Sequence, residues 1–159
     1  MTMTRRRFLY TAAALAVGGA AAPAVWALLA RAPVENGPPA IRYGRDRCDA
    51  CGMIIGAPPF AAASREGAVV HRYDDIGCLM THSSAALASG RARGFVHDMV
   101  SETWIDPGAA TFVRTAEIQT PMGFGLAAYA DAGAARAAYP KASMMTFEAT
   151  LATLAKERS

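Results

Sequence analysis

Residues 48–53, with the sequence C-D-A-C-G-M, bring two thiols and a thioether together. Soft sulfur ligands of this kind favour Cu(I), and a methionine thioether suits copper better than zinc. The spacing therefore predicts a metal site in this segment. Cys51 and Met53 are the leading candidate ligands, and Cys48 lies beside them.

A Cys-x-x-Cys pair is also typical of thiol–disulfide proteins, in which the motif begins a long helix whose dipole lowers the thiol pKa. Here only Gly52–Ala57 separate Cys51 from Pro58 and Pro59, so no helix of useful length fits between them. The sequence disfavours a thioredoxin-like enzyme. A periplasmic thiol–disulfide protein using Cys48 and Cys51 remains an alternative, as does a structural disulfide between them.

A third alternative is a small zinc-stabilised interaction domain. Cys48, Cys51 and Cys78, with one histidine, would complete a closed Cys3His zinc site. That site would leave the thioethers of Met53 and Met122 unused. We therefore expect copper rather than zinc.

Met122 is the second methionine whose position favours a metal ligand. It lies in a turn between Pro121 and Gly123, whereas core methionines usually fill gaps from within helices and strands. Its sulfur is therefore expected to be displayed. His71, on a predicted strand within reach of the cysteine segment, is a further candidate ligand.

Cys78 and His82 are four residues apart on a predicted helix, and side chains with this spacing share a face. Such a pair can chelate a metal, which makes Cys78 a further candidate ligand. The shared face lies opposite Ile76, Met80 and Leu87, so their own helix does not bury the pair. We expect Cys78 and His82 to be two unrelated surface residues.

The N-terminus has the features of an export signal. Thr4–Leu9 matches the twin-arginine pattern S/T-R-R-x-F-L-K up to its last position, where this chain has tyrosine. The uncharged, largely apolar run over residues 8–30 is long enough to anchor the chain in a membrane, although Ala22-Pro23-Ala24 offers a cleavage site. We predict a signal or anchor over residues 1–32, export by the twin-arginine route and a periplasmic location.

The basic balance of the whole chain, 16 Lys and Arg against 13 Asp and Glu, comes from this signal. Without its four arginines, twelve basic side chains remain and the net charge is near −1. A nucleic acid is therefore not an expected partner. The sequence also has no nucleophile elbow, phosphate-binding loop or H-E-x-x-H helix, so we expect no enzymatic activity.

A linker with prolines and a glycine at residues 33–40 precedes one predicted α+β domain at residues 41–159. Its hairpins are each followed by a helix, which is the α+β pattern. The predicted strands are 60–64, 68–73, 95–100, 103–105, 111–114, 126–129 and 144–147. The predicted helices run from the cap Asp75 to about Ser89, from the cap Asp131 to Tyr139, and from Glu148 to Arg158.

A short internal sequence repeat predicts that the domain is built from two related halves, at about residues 41–107 and 108–159. The pattern Y-x-D-x-G occurs at residues 73–77 and 129–133, each time where a strand passes to a helix. A methionine beside a glycine precedes each copy. If the halves are equivalent, these two sulfur-bearing turns face each other across a pseudo-twofold axis.

Four motifs in series, C-x-x-C-G-M, Y-D-D-I-G, T-W-I-D and P-M-G-F-G, resemble those of the NosL family. They lie at residues 48–53, 73–77, 103–106 and 121–125, in the expected order and across most of the chain after the signal. NosL proteins are copper-binding accessory proteins of nitrous oxide reductase maturation.

The resemblance implies two related ββαβ halves and the binding of one Cu(I) per chain through a cysteine thiolate and a thioether. It also implies delivery of that copper to a periplasmic enzyme, nitrous oxide reductase or a similar client, together with its assembly machinery. The expected ligands, in falling order of rank, are Cys51 and Met53, then Met122 and Cys48, then His71 or Cys78.

Overall fold

The structure, a computed structural model, describes residues 36–157. The predicted signal or anchor at residues 1–32, with its apolar run at 8–30, lies outside the described residues. So does the start of the predicted linker, while residues 36–40 form neither helix nor strand. Within the described range, no helix has both the length and the apolar character needed to cross a membrane.

A β-hairpin begins the first sheet, as predicted. Strands β1 (Ala62–Glu66) and β2 (Val69–Tyr73) pair antiparallel, and Gly67 turns the chain between them with a φ of +59°. Strand β3 (Arg93–His97) pairs with the other side of β1, and β4 (Trp104–Ile105) pairs with β3. The strand order is therefore β2-β1-β3-β4, with every pairing antiparallel.

The second sheet repeats this order. Strand β5 (Thr111–Arg114) lies between β6 (Leu126–Tyr129) and β7 (Ser143–Met145), again with antiparallel pairing. The resulting order, β6-β5-β7, matches β2-β1-β3 of the first sheet. This confirms the predicted α+β class with two related ββαβ halves.

Four helices complete the described chain. Helices α1 (Ile76–His82) and α2 (Ser84–Ala88) connect β2 to β3, and α3 (Ala132–Ala138) connects β6 to β7. Helix α4 (Phe147–Glu157) follows β7. The predicted Asp caps are confirmed, because the carboxylate of Asp75 accepts a backbone N–H of α1 and that of Asp131 accepts two from α3.

The predicted single helix from Asp75 to Ser89 is wrong, because it is interrupted at Ser83. This residue has φ −100° and ψ 12°, outside the helical region. Its hydroxyl lies 2.7 Å from Tyr73 Oη and 3.0 Å from Ser64 Oγ. These buried bonds fasten Ser83 to the sheet, and serine bonds of this kind compete with helical backbone geometry.

The predicted strand at residues 144–147 also extends too far. Strand β7 ends at Met145, and Phe147 begins α4. The Ala149 N–H donates to Thr146 Oγ1 at 3.3 Å. A threonine that accepts a bond from the third following N–H starts a helix, and this explains the early end of the strand.

One hydrophobic core joins the two halves. The helical face that carries Ile76, Met80 and Leu87 is buried in full, together with Leu79 and Ser83. The apolar members of this face pack in one cluster with Phe112, Leu126 and Leu154 of the second half. A hydrogen bond also joins the two halves, since the buried Asp98 of the first half accepts the Ala130 N–H of the second at 2.8 Å.

Candidate metal centre

Residues 48–53 form a closed loop, called the cysteine loop below. Its ends pair through an antiparallel bridge between Arg47 and Ile54. Inside it, the Cys48 N–H donates to Met53 O at 2.8 Å and the Gly52 N–H donates to Cys48 O at 2.9 Å. Gly52 has a φ of +78°, a conformation that other residues adopt only at a cost. The glycine of the motif thus permits the tight return of the loop.

The cysteine loop is fastened to β2 by a reciprocal pair of hydrogen bonds. The Asp49 N–H donates to Arg72 O at 2.9 Å, and the Arg72 N–H donates to Asp49 Oδ2 at 2.8 Å. With the loop held in this way, Cys48 is 2% exposed and Cys51 is partly exposed. One thiol therefore belongs to the core and the other lies toward the surface.

Cys78, in the first turn of α1, lies against this loop. Its sulfur and those of Cys48 and Cys51 all lie within 4.8 Å of one another. The expectation that Cys78 is a surface residue unrelated to the motif is wrong, since it is 3% exposed. Helical spacing placed it correctly on the face opposite Met80. That face is covered by the cysteine loop, which comes from a distant part of the sequence.

The three thiols differ in their pKa values. Burial raises the pKa of Cys78 far above its ordinary value, and the neighbouring sulfurs of Cys48 and Cys51 add to this shift. Burial also raises the pKa of Cys51. At Cys48 burial again acts upward, but hydrogen bonds from the backbone of Asp74, Cys51 and Ala50 outweigh it and lower the pKa. Cys48 is therefore the thiol that ionises first.

No long helix follows the cysteine loop in the described chain. The next element is a short 3-10 helix at Pro58–Phe60, and no helix lies between Cys51 and the two prolines, as predicted. Cys48 and Cys51 thus lack the helix N-terminus that activates thioredoxin-like thiols. The three cysteines are free thiols, and their three sulfur atoms lie close enough together to bind one metal ion.

An open pocket of about 480 Å³ adjoins two of the three cysteines. The cysteine loop, α1 and the turn around Met122 each contribute to its wall. The lining residues are Ala50, Cys51, Cys78, Thr81, His82, Met122 and Phe124. Segments from both halves therefore meet at this pocket, and Cys48 lies behind it in the core.

The Met122 turn reaches the pocket from the second half. The Met122 N–H donates to Asp75 Oδ2 at 3.0 Å, and Gly123 continues the turn with a φ of +72°. The Met122 side chain is 42% exposed, as its turn position predicted. The ring of Phe124 lies against Gly77 so closely that a Cβ on this glycine would overlap it.

Two further predicted ligands, Met53 and His71, are like Cys48 not among the described residues that line the pocket. Met53 is 46% exposed at the end of the cysteine loop. His71 lies on β2 with its Nδ1 3.4 Å from Asp49 Oδ2. Its ring centroid is 5.4 Å from that of His82. The roles of Met53 and His71 as ligands stay predictions.

His82 is the histidine that does line the pocket, and it was not among the expected ligands. Its Nδ1 lies 3.0 Å from Tyr73 Oη, a bond that orients the ring. The signal for it was present in the sequence as the i, i+4 spacing from Cys78. The sequence alone could not show that the cysteine loop packs on that helical face.

His97, by contrast, is a structural residue, as a lone strand histidine usually is. It is 3% exposed, and its Nδ1 bonds to Ala61 O at 2.9 Å while its Nε2 lies 3.2 Å from Tyr43 Oη. A carbonyl oxygen only accepts, so Nδ1 carries the proton and Nε2 accepts from the tyrosine. Burial lowers the pKa of His97, which agrees with a neutral ring.

The donor set fits a soft monovalent metal. Metal–sulfur bonds are about 2.3 Å long, so small side-chain movements let one ion contact the three sulfurs. Thiolates and a thioether are the ligands that select Cu(I). Structural zinc accepts a Cys3His set, and His82, in the pocket wall, is the histidine that would complete such a set with the three cysteines. The thioether of Met122 distinguishes the copper set from the zinc set, because a thioether suits copper better than zinc.

Comparison with known proteins agrees with this architecture. The family model NosL matches residues 41–143. The crystal structure of the copper chaperone NosL from Shewanella denitrificans is similar to this chain with a TM-score of 0.61 and 18% sequence identity. The match covers 70% of this chain and 93% of that one, and at this identity it shows the shared fold. A search of curated proteins found no match.

Proposed function

The chain belongs to the NosL family, and from this premise we propose that it is a Cu(I) metallochaperone. It binds one Cu(I) per chain and passes the ion to a client copper enzyme. The observation that carries the proposal is the convergence of the sulfurs of Cys48, Cys51 and Cys78 within 4.8 Å, beside an open pocket.

A copper chaperone must bind its ion tightly and must also release it to a partner, and this arrangement of ligands allows both. Thiolates hold Cu(I) strongly, and Cys48, with its lowered pKa, is the first to supply one. A cage of four strongly held ligands would prevent release, whereas a site whose fourth ligand is the neutral, weakly held thioether of Met122 admits an incoming ligand in its place. The pocket beside Cys51 and Cys78 gives a partner that access.

Release to a client follows as ligand exchange. A donor atom of the partner enters the pocket and bonds to the ion as the neutral, weakly held thioether of Met122 leaves. As further donor atoms of the client bond to the ion, the partly exposed Cys51 leaves next and Cys78 follows. Each thiolate takes up a proton from water because burial raises its pKa. The buried Cys48 keeps its contact longest, so the ion is not lost to water.

The proposal also covers the enzyme that receives the copper and the place in the cell where the transfer occurs. Nitrous oxide reductase, with its assembly machinery, is the client that the NosL resemblance supports. The twin-arginine pattern at Thr4–Leu9 supports a periplasmic location, and the apolar run at residues 8–30 supports tethering at the membrane. Fusing residues 1–35 to a reporter, with Arg5 and Arg6 both changed to Lys as the control, tests the export route.

Anaerobic titration with Cu(I) tests the binding function. The wild-type chain is expected to bind one ion tightly, and Cys51→Ser is expected to abolish that stoichiometry. Circular dichroism before and after heating checks that the variant is folded. Unchanged binding by Cys51→Ser contradicts the assignment of this cysteine.

Zinc is the alternative that one observation favours, namely the position of His82 in the pocket wall. A zinc-stabilised domain purifies with zinc and unfolds when a chelator removes it. A copper chaperone purifies with copper or metal-free, and its apo form keeps its fold. Elemental analysis of the fresh protein, followed by melting with and without chelator, separates the two functions.

A further inference from the structure

Asp75 bonds to both sides of the pocket. It is fully buried, at 0% exposure. Its Oδ1 accepts the Gly77 N–H at 2.8 Å at the start of α1, and its Oδ2 accepts the Met122 N–H at 3.0 Å. One carboxylate therefore joins the helix that carries Cys78 to the turn that carries Met122.

Asp131 shows what helix capping alone requires. It has the same place in the second Y-x-D-x-G motif, but it is exposed. Its oxygens accept the N–H groups of Gly133 at 2.9 Å and Ala134 at 3.3 Å, both within the first turn of α3. Capping needs neither burial nor a bond to the other half. The bond from Asp75 to Met122 is therefore an addition to the cap.

We propose that Asp75 is a positioning residue that holds the Met122 turn over the cysteine thiols and so closes the Cu(I) site across the two halves. The inference rests on the proposed function and deepens it by naming the residue that couples the halves at the metal.

The Met122 turn needs such a support. Its other bonds stay within the second half: the Gly123 N–H donates to Thr120 O at 3.0 Å, the Gly125 N–H donates to Thr120 Oγ1 at 3.3 Å, and Phe124 O accepts from Arg114 Nε at 3.2 Å. The Met122 side chain is 42% exposed, so packing alone does not fix it. A turn that is already in place spares the ordering cost that otherwise weakens binding.

Asp75→Asn separates the two bonds. Asparagine keeps one carbonyl oxygen for the Gly77 N–H but presents an amide NH2 where Oδ2 accepted the Met122 N–H. Two donors then face each other, and the Met122 turn is displaced.

A double-mutant cycle tests the inference. Cu(I) affinity is measured by anaerobic competition with a chromophoric chelator for wild type, Asp75→Asn, Met122→Leu and the double variant. Asp75→Asn is expected to weaken binding by about tenfold, since a hydrogen bond to a charged group is lost. In the Met122→Leu background it is expected to cause no further weakening. Asp131→Asn, the matched control in the second half, is expected to leave affinity unchanged.

Equal losses in both backgrounds, no loss on Asp75→Asn, or no effect of Met122→Leu would each overturn the inference while leaving Cu(I) binding in place. Absence of Cu(I) binding by the wild-type chain would instead overturn the proposed function itself. Asp75→Ser provides a second test if Asp75→Asn does not fold. Serine still caps a helix but is too short to reach the Met122 N–H, and the same cycle with Met122→Leu is expected.

Discussion

The two halves share a topology, but their equivalent positions carry different side chains. The order β6-β5-β7 of the second sheet repeats the order β2-β1-β3 within the four-stranded first sheet, and both halves have an aspartate where a strand passes to a helix. With the two Y-x-D-x-G motifs aligned, Cys78 of the first half corresponds to Ala134 of the second, and His82 corresponds to Ala138. The first half supplies the thiols, and the second supplies the turn that lies over them.

The glycines that end the two Y-x-D-x-G motifs, Gly77 and Gly133, also have different surroundings. A Cβ on Gly77 would overlap the ring of Phe124, which comes from the other half. The atoms nearest to a Cβ on Gly133 would be those of the carboxylate of its own cap, Asp131, the first at 3.3 Å. The two halves thus share a backbone path, but only Gly77 of the two glycines packs against a side chain of the other half.

Among substitutions that test this difference between the halves, Cys78→Ser is expected to have the largest effect on Cu(I) affinity. We expect a loss of Cu(I) affinity of more than about a hundredfold, since losing even an outer partner of a metal ligand costs 10–100-fold. Ala134→Ser, at the equivalent position of α3, removes no thiol and should leave affinity unchanged. Chelator competition measures both, and equal affinities would exclude Cys78 from the site.

The same variant alters the pH dependence of binding. Because the pKa of Cys78 is raised, this thiol must release a proton when it binds metal at neutral pH. Affinity of the wild type is expected to rise with pH between about 6 and 9, and this thiol contributes up to about tenfold per pH unit. In Cys78→Ser the rise should be shallower by one proton. Parallel profiles contradict the assignment.

Gly77→Ala and Gly133→Ala test the contrast between the motif glycines. At Gly77 the added methyl group collides with Phe124, and overpacking of this kind costs about 1–3 kcal/mol. At Gly133 the exposed Asp131 side chain can shift, and alanine in a helix gains up to about 1 kcal/mol over glycine. Urea unfolding of the two metal-free variants measures the difference. Equal changes in the free energy of unfolding would show that the halves are packed alike.

Met122→Leu tests the contribution of the second half at the site. We expect a loss of Cu(I) affinity of about tenfold, because the hydrophobic swap removes a ligand while costing under about 1.5 kcal/mol of stability. Met144→Leu is the matched control, since Met144 is a half-buried methionine of β7 that packs in the core of the second half. A structural methionine gives the reverse result, a shifted melting temperature and unchanged affinity.

His97 is expected to give the smallest effect, and it separates structural from metal-binding residues within the first half. Burial lowers its pKa, so the folded state keeps the ring neutral while the unfolded state gains a proton near pH 6.5. The stability that this provides is present above pH 6.5 and is lost as pH falls below it, by up to about 1.4 kcal/mol per pH unit. Urea unfolding at pH 7.5 and 5.5, for wild type and His97→Gln, measures it. An equal loss in His97→Gln contradicts the assignment.

The sequence predicted the backbone well because its signals are local. Asp75 and Asp131 precede helices and cap them, and the hairpin at Gly67 follows from alternating residues around a turn. The break at Ser83 was missed because its cause lies in bonds to Tyr73 and Ser64, which belong to the sheet. Such bonds have no signature in the helix's own sequence.

The metal centre was predicted in part for the same reason. The cysteine loop and the displayed Met122 could be identified from local composition. Cys78 was predicted only as a lower-ranked ligand, because periodicity reports which face of a helix a residue occupies and not what covers that face. His82 was missed for the same reason. His71, which was expected within reach of the cysteine loop, does not line the pocket in the described chain.

X-ray absorption at the selenium edge tests most directly whether the copper site spans both halves. The protein is labelled with selenomethionine and loaded with Cu(I) without oxygen. A selenium–copper contact is expected in the wild type and in Met144→Leu, and it should disappear in Met122→Leu. No such contact, or one that persists in Met122→Leu and is lost in Met53→Leu, would contradict a site closed by the second half.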